Sequence, residues 1–243
     1  MAQVIDTAFL REAAAAAGVD MDEQTAARFE TYARVLLEWN EKMNLTAITD
    51  PTDIVIKHFV DSLMVLKYLP PEPFSLIDVG TGAGFPGVPL AIMRPDCKLT
   101  LLDSLQKRLT FLQAACAAVG VNATFCHARA EEGGQKPKLR EQFDIATARA
   151  VGKLPLLCEY CLPYVKVGGA FLALKGQEGA EDAGAAARVA GILGGKMQPP
   201  QTFTLPADKN GECATRQVVV FGKVKNTAPQ YPRSTKKIAK GTL

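Results

Sequence analysis

The chain has 243 residues, of which 48% are hydrophobic, and its formal net charge is only +3. This length and apolar content are sufficient for one large α/β domain with a small accessory part, without disulfides to stabilise the core. The six cysteines follow no regular spacing, and charged residues interrupt the first 18 positions. We therefore predict a reduced, cytoplasmic protein without a secretory signal. No run of 18 apolar residues is present, so no membrane span is predicted.

Residues 1–72 are predicted to form a helical extension packed on the rest of the chain. An Ala-rich helix is expected over 7–17 and a long amphipathic helix over 21–44, with Asp20 or Asp22 as its N-cap. A third helix is expected over 53–69, and "NLTAIT" before it is predicted to be a turn or loop.

After residue 73 short apolar runs alternate with helical stretches. The predicted strands are 74–79, 98–103, 123–128, 143–148, 169–175 and 216–224, and the predicted helices are 86–94, 105–119, 153–163 and 178–193. Such alternation is typical of a mostly parallel sheet with helices on both faces. Residues 73–225 are thus predicted to be the main domain, and residues 226–243 a basic tail.

The positive charge is concentrated at the C-terminus. The segment 223–243 contains six basic residues and no acidic residue, so the remainder of the chain carries a net charge of −3. The basic residues are Lys223, Lys225, Arg233, Lys236, Lys237 and Lys240. Charge alone fits either a solubilising end or an arm that contacts phosphates.

The segment "GTGAGFPG" at 80–87 follows the first predicted strand, where a doubly wound sheet binds its ligand. Its glycines fit two patterns at once. Gly82, Gly84 and Gly87 match G-x-G-x-x-G for a dinucleotide, whereas Asp78, Gly80, Gly82 and Gly84 match the first motif of S-adenosylmethionine enzymes. The glycines alone leave the cofactor undecided.

Two carboxylates favour S-adenosylmethionine. Asp78 would oppose a pyrophosphate at the following helix N-terminus but would attract a ligand that carries a sulfonium and an ammonium. Asp103, at the end of the second strand, is placed to accept hydrogen bonds from ribose hydroxyls of either cofactor. Alternatively, Asp78 caps its own loop and Asp103 caps the next helix.

The segment 143–155, "FDIATARAVGKLP", indicates which kind of atom could accept the methyl group. It contains neither the Pro-Pro-aromatic cluster used with exocyclic amines nor a cysteine nucleophile for a pyrimidine carbon. A ring nitrogen with a free lone pair, such as N7 of guanine, needs no base, although many small-molecule acceptors fit equally well. Arg149 can hold a phosphate, pack over a base, or pair with Asp144 or Glu131.

Several blocks resemble the ribosomal RNA small subunit methyltransferase G family, also called glucose-inhibited division protein B. They are "MNLTAITDPTDIVIKHFVDSL" (43–63), "LIDVGTGAGFPGVPLAI" (76–92), "LLDSLQKRLTFL" (101–112), "HARAEE" (127–132), "TARAVGKL" (147–154) and "GGAFLALKG" (168–176). The resemblance runs from about residue 20 to the C-terminus. It implies a class I S-adenosylmethionine-dependent methyltransferase with a seven-stranded sheet, which methylates N7 of one guanine in the decoding-region hairpin of 16S rRNA.

The resemblance also implies the site. Gly80 and Phe85 would border the methionine and adenosine portions of S-adenosylmethionine. Asp103, Ser104 and Leu105 would contact the ribose edge. Ala130 and Glu131 would contact the adenine. Arg149 would lie at the methionine end or on the acceptor side. Glu131 can also be an ordinary surface acid.

Three residues near the predicted crevice, Lys107, Arg108 and Lys175, are expected to contact RNA phosphates or to be ordinary surface cations. Arg233, Lys236 and Lys237 are expected to bind RNA from the tail. The tail departs from the family after Arg233, which fits a flexible arm rather than an ordered segment. His58, Asp61 and Ser62 fall in a family block and form either a helix cap or a crevice wall.

No metal site is predicted, because Cys158 and Cys161 form a single C-x-x-C with no second pair. The leading hypothesis is a monomeric 16S rRNA guanine-N7 methyltransferase acting on RNA or the small subunit. A small-molecule or protein methyltransferase of the same fold is the second hypothesis. The third is an RNA-binding module with a vestigial pocket.

Overall fold

The computed structural model describes residues 3–149, 152–176, 182–241 and 243. The N-terminal part begins with two helices, α1 (Thr7–Ala16) and α2 (Glu23–Met43). The Asp6 carboxylate accepts hydrogen bonds from the first N–H groups of α1. Asp22 caps α2 by accepting from the N–H of Thr25, so Asp22 is the cap among the two predicted alternatives. Within the described ranges no helix is both long enough and apolar enough to cross a membrane.

The third predicted helix is present but irregular. It starts as α3 (Pro51–Asp53), widens into a π-helical segment (Ile54–Val60) and ends as α4 (Asp61–Leu63), followed by a 3-10 turn (Leu66–Tyr68). Single π-helical turns are frequent at functional sites. The Lys57 carbonyl in this segment accepts a hydrogen bond from Arg149, at 3.0 Å.

The sheet of the described residues has eight strands in the order β3-β2-β1-β4-β5-β8-β6, with β7 also paired to β8. The strands β1 to β5 run parallel, and β8 runs antiparallel beside β5. Their bounds are β1 Ser75–Val79, β2 Lys98–Asp103, β3 Ala123–His127, β4 Phe143–Arg149, β5 Val165–Gly176, β6 Gly195–Met197, β7 Gln201–Thr204 and β8 Thr215–Lys223. The sequence pattern predicted all of these except β6 and β7.

The two additional strands occupy one position of the sheet. Successive residues of β6 and then β7 pair with successive residues of β8, so the eight strands fill seven positions. Pro199 and Pro200 separate them because proline cannot donate to the ladder. These short, broken strands carry no strong apolar alternation, which explains why the sequence analysis missed them.

In the described ranges six more helices connect the strands or lie in the tail: α5 (Gly87–Met93), α6 (Gln106–Val119), α7 (Ala130–Gly133), α8 (Leu154–Cys161), α9 (Ala183–Ile192) and α10 (Thr235–Ile238). The helix predicted over 178–193 begins partly outside the described residues. The one-turn helix α7 was not predicted, because four residues cannot show a helical period. It lies at the end of β3, where it contributes to the site.

The core has one apolar cluster on each face of the sheet. On one face the N-terminal helices pack with α5 and α6, and their buried residues include Phe29, Tyr32 and Phe59. On the other face α8 and α9 pack on the sheet. The N-terminal extension therefore shares its core with the sheet. All six cysteines are free, and Cys158 and Cys161 are buried in the second cluster.

The C-terminal tail lies along the body of the protein. The Arg140 guanidinium donates hydrogen bonds to the carbonyls of Thr227, Ala228 and Tyr231. Arg233 forms an ion pair with the buried Glu159, at 2.7 Å. These contacts dock the tail beside α7 and α8, so its described residues are ordered on the surface rather than extended as a free arm.

Candidate active site

The glycine loop lies between β1 and α5 at the carboxyl ends of the parallel strands. Gly80, Gly82 and Gly84 have φ angles of 70°, 59° and 91°, in the left-handed region that favours glycine. The N–H groups of Gly80 and Thr81 both donate to the Leu102 carbonyl, which anchors the loop to β2. The loop is thus a fixed turn with its backbone exposed on one side.

Asp78 lies beneath this loop. Its carboxylate accepts hydrogen bonds from the Thr81 hydroxyl (2.6 Å), the Gly87 N–H (3.1 Å) and the Thr147 hydroxyl (3.1 Å). Complete burial raises the pKa of Asp78 to about 6, against the lowering effect of these hydrogen bonds. Asp78 was expected to attract the ligand or, alternatively, to cap its own loop. Its hydrogen bonds to Thr81 and Gly87 favour the capping role.

Tyr32 of α2 supports the loop from the same side. Its hydroxyl donates to the Ala83 carbonyl, and a Cβ added at Gly84 would collide with that hydroxyl. Gly84 is therefore required by its positive φ and by close packing against Tyr32, Leu112 and Val88, not by ligand approach. The sequence showed Tyr32 only as part of the apolar stripe of α2, because its partner lies 51 residues away.

Asp103 ends β2 and is almost fully buried. One oxygen, Oδ1, accepts from the Leu105 N–H at 2.8 Å, and the other, Oδ2, accepts from the Gly82 N–H at 3.0 Å. Arg108 also approaches Oδ2, at 3.3 Å. Asp103 thus joins the glycine loop to the start of α6, and Oδ1 keeps a lone pair for a ribose hydroxyl.

The predicted adenine end is formed where β3 runs into α7. Ala130 begins α7, so its N–H has no partner within the helix. The Ala130 carbonyl already accepts from the Tyr164 hydroxyl (2.6 Å) and the Gly134 N–H (3.0 Å). The Glu131 side chain is 5% exposed, and its carboxylate accepts a hydrogen bond from Thr235 of the tail. Glu131 is therefore a buried, partnered acid rather than an ordinary surface acid.

Phe85, His58 and Arg149 form the opposite wall. The His58 ring stacks on Phe85 with centroids 4.5 Å apart and an interplanar angle of 15°. The Arg149 guanidinium also lies over the Phe85 ring, with its central carbon 4.9 Å from the ring centroid. Burial, together with the Arg149 charge, lowers the pKa of His58 to about 3. His58 is thus neutral at physiological pH.

Arg149 is held by Asp61 of α4. The Arg149 Nη1 atom lies 2.7 Å from Asp61 Oδ2, and Arg216 Nε lies 3.1 Å from Asp61 Oδ1. The expectation that Arg149 pairs with Asp144 or Glu131 is wrong, because Asp144 binds Lys166 and Ser75 instead. The neighbouring Ser62 points back into its helix, where its hydroxyl donates to the His58 carbonyl.

These elements enclose a cavity of about 440 Å³ at the glycine loop. Eight of the predicted cofactor residues line it: Gly80, Gly82, Phe85, Asp103, Ser104, Ala130, Glu131 and Arg149. Three do not, namely Asp78, Gly84 and Leu105. The Leu105 side chain is 41% exposed, and its contribution is the N–H bound to Asp103. The lining residues that the sequence analysis did not weigh include Thr46, Thr81, Arg129 and Tyr160.

A second cavity of about 420 Å³ adjoins the first, since His58 and Arg149 line both. Its other polar lining residues are Lys57, Asp61, Lys175 and Arg216. Lys57 is paired with Asp53 (3.1 Å) and Asp208 (2.8 Å), whereas Arg149 and Arg216 share the single carboxylate of Asp61. The lining of this cavity therefore carries excess positive charge.

The predicted RNA-binding residues lie at three places. Lys175 lines the second cavity, where its ammonium donates to the Gly152 carbonyl at 2.7 Å. Arg108 lines the first cavity beside Asp103, and the neighbouring Lys107 is exposed. In the tail, Lys236 and Lys237 are exposed, whereas Arg233 is bound to Glu159. The described residues contain no cluster of three or more His, Cys, Asp or Glu side chains suited to a metal ion.

The first cavity fits S-adenosylmethionine. A Cβ added at Gly82 would meet only the Gly80 carbonyl, at 3.9 Å, so the loop backbone is open to a ligand on that side. Asp103 supplies a carboxylate for a ribose, the start of α7 supplies N–H groups for an adenine edge, and Phe85 supplies an aromatic face. When bound, this cofactor supplies an electrophilic methyl group on a sulfonium.

Comparisons with known proteins agree with this geometry. The model of the family described as "rRNA small subunit methyltransferase G" matches residues 25–205. The ribosomal RNA small subunit methyltransferase G of Acetivibrio thermocellus is 45% identical over 96% of this chain and 95% of its own length. The protein of the same name from Alkaliphilus metalliredigens is 47% identical, over 89% of this chain and 90% of its own.

Solved structures share the fold at low sequence identity. The YcgJ protein of Bacillus subtilis aligns with a TM-score of 0.54 at 13% identity, over 70% of this chain and all of its own. TYW2 of M. jannaschii, solved in complex with AdoMet, aligns with a TM-score of 0.52 at 12% identity, over 68% of this chain and 76% of its own. The predicted class I methyltransferase fold is confirmed. The extent and identity of the sequence matches establish that this chain belongs to the ribosomal RNA small subunit methyltransferase G family.

Proposed function

We propose that this protein transfers the methyl group of S-adenosylmethionine to N7 of a guanine in the decoding-region hairpin of 16S rRNA. The donor occupies the cavity at the glycine loop, and the target nucleotide enters the adjoining cationic cavity. Membership in the family makes the chain an enzyme that methylates small-subunit ribosomal RNA. The choice of atom and the assignment of the two cavities are our proposal.

The observation that carries this proposal is the shared wall of the two cavities. His58 and Arg149 line both, so a methyl group in the first cavity and a base in the second meet beside these two side chains. Lys175, Arg149 and Arg216 place three cations around one carboxylate on the acceptor side. Cations in excess suit the phosphates that flank a nucleotide.

The chemistry of the wall suits a ring nitrogen. N7 of guanine carries a lone pair and no proton, so attack on the methyl group requires alignment and exclusion of water rather than a base. Neutral His58, held in place by its stack on Phe85, offers a flat surface against which a base can be held. The product base is cationic, and Asp61 offsets the charge of Arg149 that faces it.

The remaining residues have supporting roles in this proposal. Gly80, Gly82, Asp103 and Ala130 hold the donor, while Lys107, Lys236 and Lys237 contact RNA phosphates outside the cavities. Arg108 and Arg233 serve first as partners of Asp103 and Glu159. We further propose that the protein acts as a monomer in the cytoplasm, on 16S rRNA or the small ribosomal subunit.

The test is a comparison of ribosomal RNA from cells with and without this protein. We expect one N7-methylguanine to disappear from 16S rRNA, as measured by mass spectrometry of nuclease fragments. Purified protein with labelled S-adenosylmethionine should restore it on small subunits from the deficient cells. Unchanged RNA would exclude the proposed substrate. Labelling of another nucleotide atom would retain the enzyme class and exclude N7.

A further inference from the structure

Thr46 lies in the loop between α2 and α3 and lines the first cavity next to His58. Its hydroxyl oxygen is 2.9 Å from His58 Nε2 and 3.0 Å from the Ile48 nitrogen. The Thr46 N–H donates to the Asn40 side chain, which fixes the position of the residue. Thr46 is thus a positioned polar group of the first cavity, in contact with His58, which lines both cavities.

The proton positions in this chain of contacts follow from Arg149. An arginine can only donate, and its Nη2 atom lies 3.3 Å from His58 Nδ1, so Nδ1 accepts. His58 is neutral and therefore carries its single ring proton on Nε2. The Nε2–H group consequently donates to the Thr46 hydroxyl oxygen.

The Thr46 hydroxyl is thereby restricted to donating. Its oxygen has two lone pairs, of which one accepts from His58 Nε2–H and the other from the Ile48 N–H. Once His58 Nε2–H donates to it, the Thr46 hydroxyl makes no hydrogen bond to an acceptor among the described residues. The proton is available to a ligand in the cavity, and the oxygen cannot accept from one.

Such a group distinguishes the two purines. Next to N7, guanine presents the O6 acceptor, whereas adenine presents an amino donor. We propose that the Thr46 hydroxyl donates a hydrogen bond to O6 of the target guanine and rejects a purine with an amino group at position 6. This inference rests on the proposed function, because it assumes a purine acceptor that presents its N7 edge to the junction.

The test uses small subunits reconstituted with 16S RNA that carries either guanine or 2,6-diaminopurine at the target position. The second base keeps N7 and the 2-amino group but has an amino group in place of O6. The proteins compared are the wild type, Thr46→Val, which removes the hydroxyl at nearly constant volume, and Thr46→Ser, which keeps it. The readouts are single-turnover methyl transfer, subunit affinity without the donor, and calorimetric affinity for S-adenosylmethionine.

We expect the wild type to prefer guanine over 2,6-diaminopurine by at least about 30-fold in methyl transfer, since a site built to hydrogen-bond a group discriminates strongly against its absence. Thr46→Val should reduce this preference about tenfold, through slower transfer to guanine alone and weaker binding of guanine subunits. Thr46→Ser should retain the preference.

Three outcomes would overturn the inference. Equal losses on both bases in Thr46→Val would indicate a structural role. Weaker binding of S-adenosylmethionine with an unchanged base preference would assign the hydroxyl to the donor. If the wild type transfers no methyl group to subunits that carry guanine, the proposed function is wrong. The inference on Thr46, which rests on that function, is then wrong as well.

Discussion

The two cavities are built from different kinds of group. The cofactor cavity is built around the backbone of the glycine loop, which Asp78 and Tyr32 support from below, with side chains forming its other wall. The cationic cavity is formed by long side chains that converge on Asp61. A backbone cavity is fixed by the fold, whereas a cavity of paired side chains can exchange its ion pairs for contacts to phosphate. Substitutions should therefore separate donor binding from acceptor binding.

The largest effect is expected at Asp103, on the donor side only. Asp103→Ala removes the ribose acceptor and also the partner of the Gly82 and Leu105 N–H groups. We expect the dissociation constant for S-adenosylmethionine to rise about 100-fold, corresponding to about 3 kcal/mol. Isothermal calorimetry measures it, with Asp96→Ala as the control, since Asp96 only pairs with Arg94 away from the cavity. Unchanged affinity would contradict the ribose assignment.

Asp61 should show the opposite pattern. Asp61→Ala leaves Arg149 and Arg216 without their shared carboxylate, so the cationic cavity loses its arrangement while the glycine loop keeps its contacts. We expect kcat/KM for subunits to fall about 10- to 100-fold and the affinity for S-adenosylmethionine to change less than about threefold. A large loss of cofactor affinity would show that the two cavities are not independent.

His58, on the shared wall, should make stability depend on pH. Its folded pKa is about 3, below the ordinary value of 6.5, so only the unfolded chain binds the proton between these values. The contribution of His58 is fully present above pH 6.5 and is lost as pH falls toward 3. Between pH 7 and pH 5 the wild type should lose about 2 kcal/mol more than His58→Gln in denaturant unfolding. Parallel pH profiles would refute the buried neutral state.

A smaller effect on the donor side is expected from Tyr32→Phe. Loss of the hydroxyl leaves the buried Ala83 carbonyl without this donor and loosens the glycine loop. We expect about fivefold weaker binding of S-adenosylmethionine and about 1 kcal/mol lower stability. Tyr68→Phe is the matched control, because the Tyr68 hydroxyl is buried without a hydrogen-bond partner among the described residues. Equal behaviour of the two variants would exclude the support of the loop by Tyr32.

The smallest effect is expected in the tail. Replacement of Lys236 and Lys237 together by Ala removes two exposed charges that line neither cavity. We expect RNA affinity to fall about threefold to tenfold and the slope of log affinity against log salt to decrease by about 2. Affinity for S-adenosylmethionine should stay constant. An unchanged salt slope would show that these lysines do not contact phosphates.

The sequence predicted the parts of the molecule that depend on local pattern. The parallel strands, the glycine loop and the residues at the ends of β2 and β3 follow from apolar periodicity, turn chemistry and the family blocks. For Arg149 the sequence left three alternatives open, and the one that named carboxylate partners named Asp144 and Glu131 rather than Asp61. Asp61 is 88 residues away in the chain and is brought to Arg149 by an irregular helix.

Other features could not be predicted because they depend on contacts between distant segments. Sequence offered loop capping only as an alternative for Asp78, and the contact that favours it from outside the loop comes from Thr147 in β4, 69 residues away. Thr46 is one threonine in a loop until His58 and Ile48 fix the direction of its proton. The short strands β6 and β7 pair along the edge of β8, and segments of three and four residues are too short to show a strand pattern in the sequence.

The shared core of the N-terminal extension limits how this protein can be divided. The sheet with its glycine loop resembles a domain that folds by itself, yet the N-terminal helices pack against α5 and α6 and share the apolar cluster on that face of the sheet. A shortened chain starting at Pro73 would expose the apolar surface of α5 and α6 that the N-terminal helices bury, and it would remove Tyr32, Thr46 and His58 together. We therefore expect that the methyltransferase domain does not fold and work without the N-terminal helices.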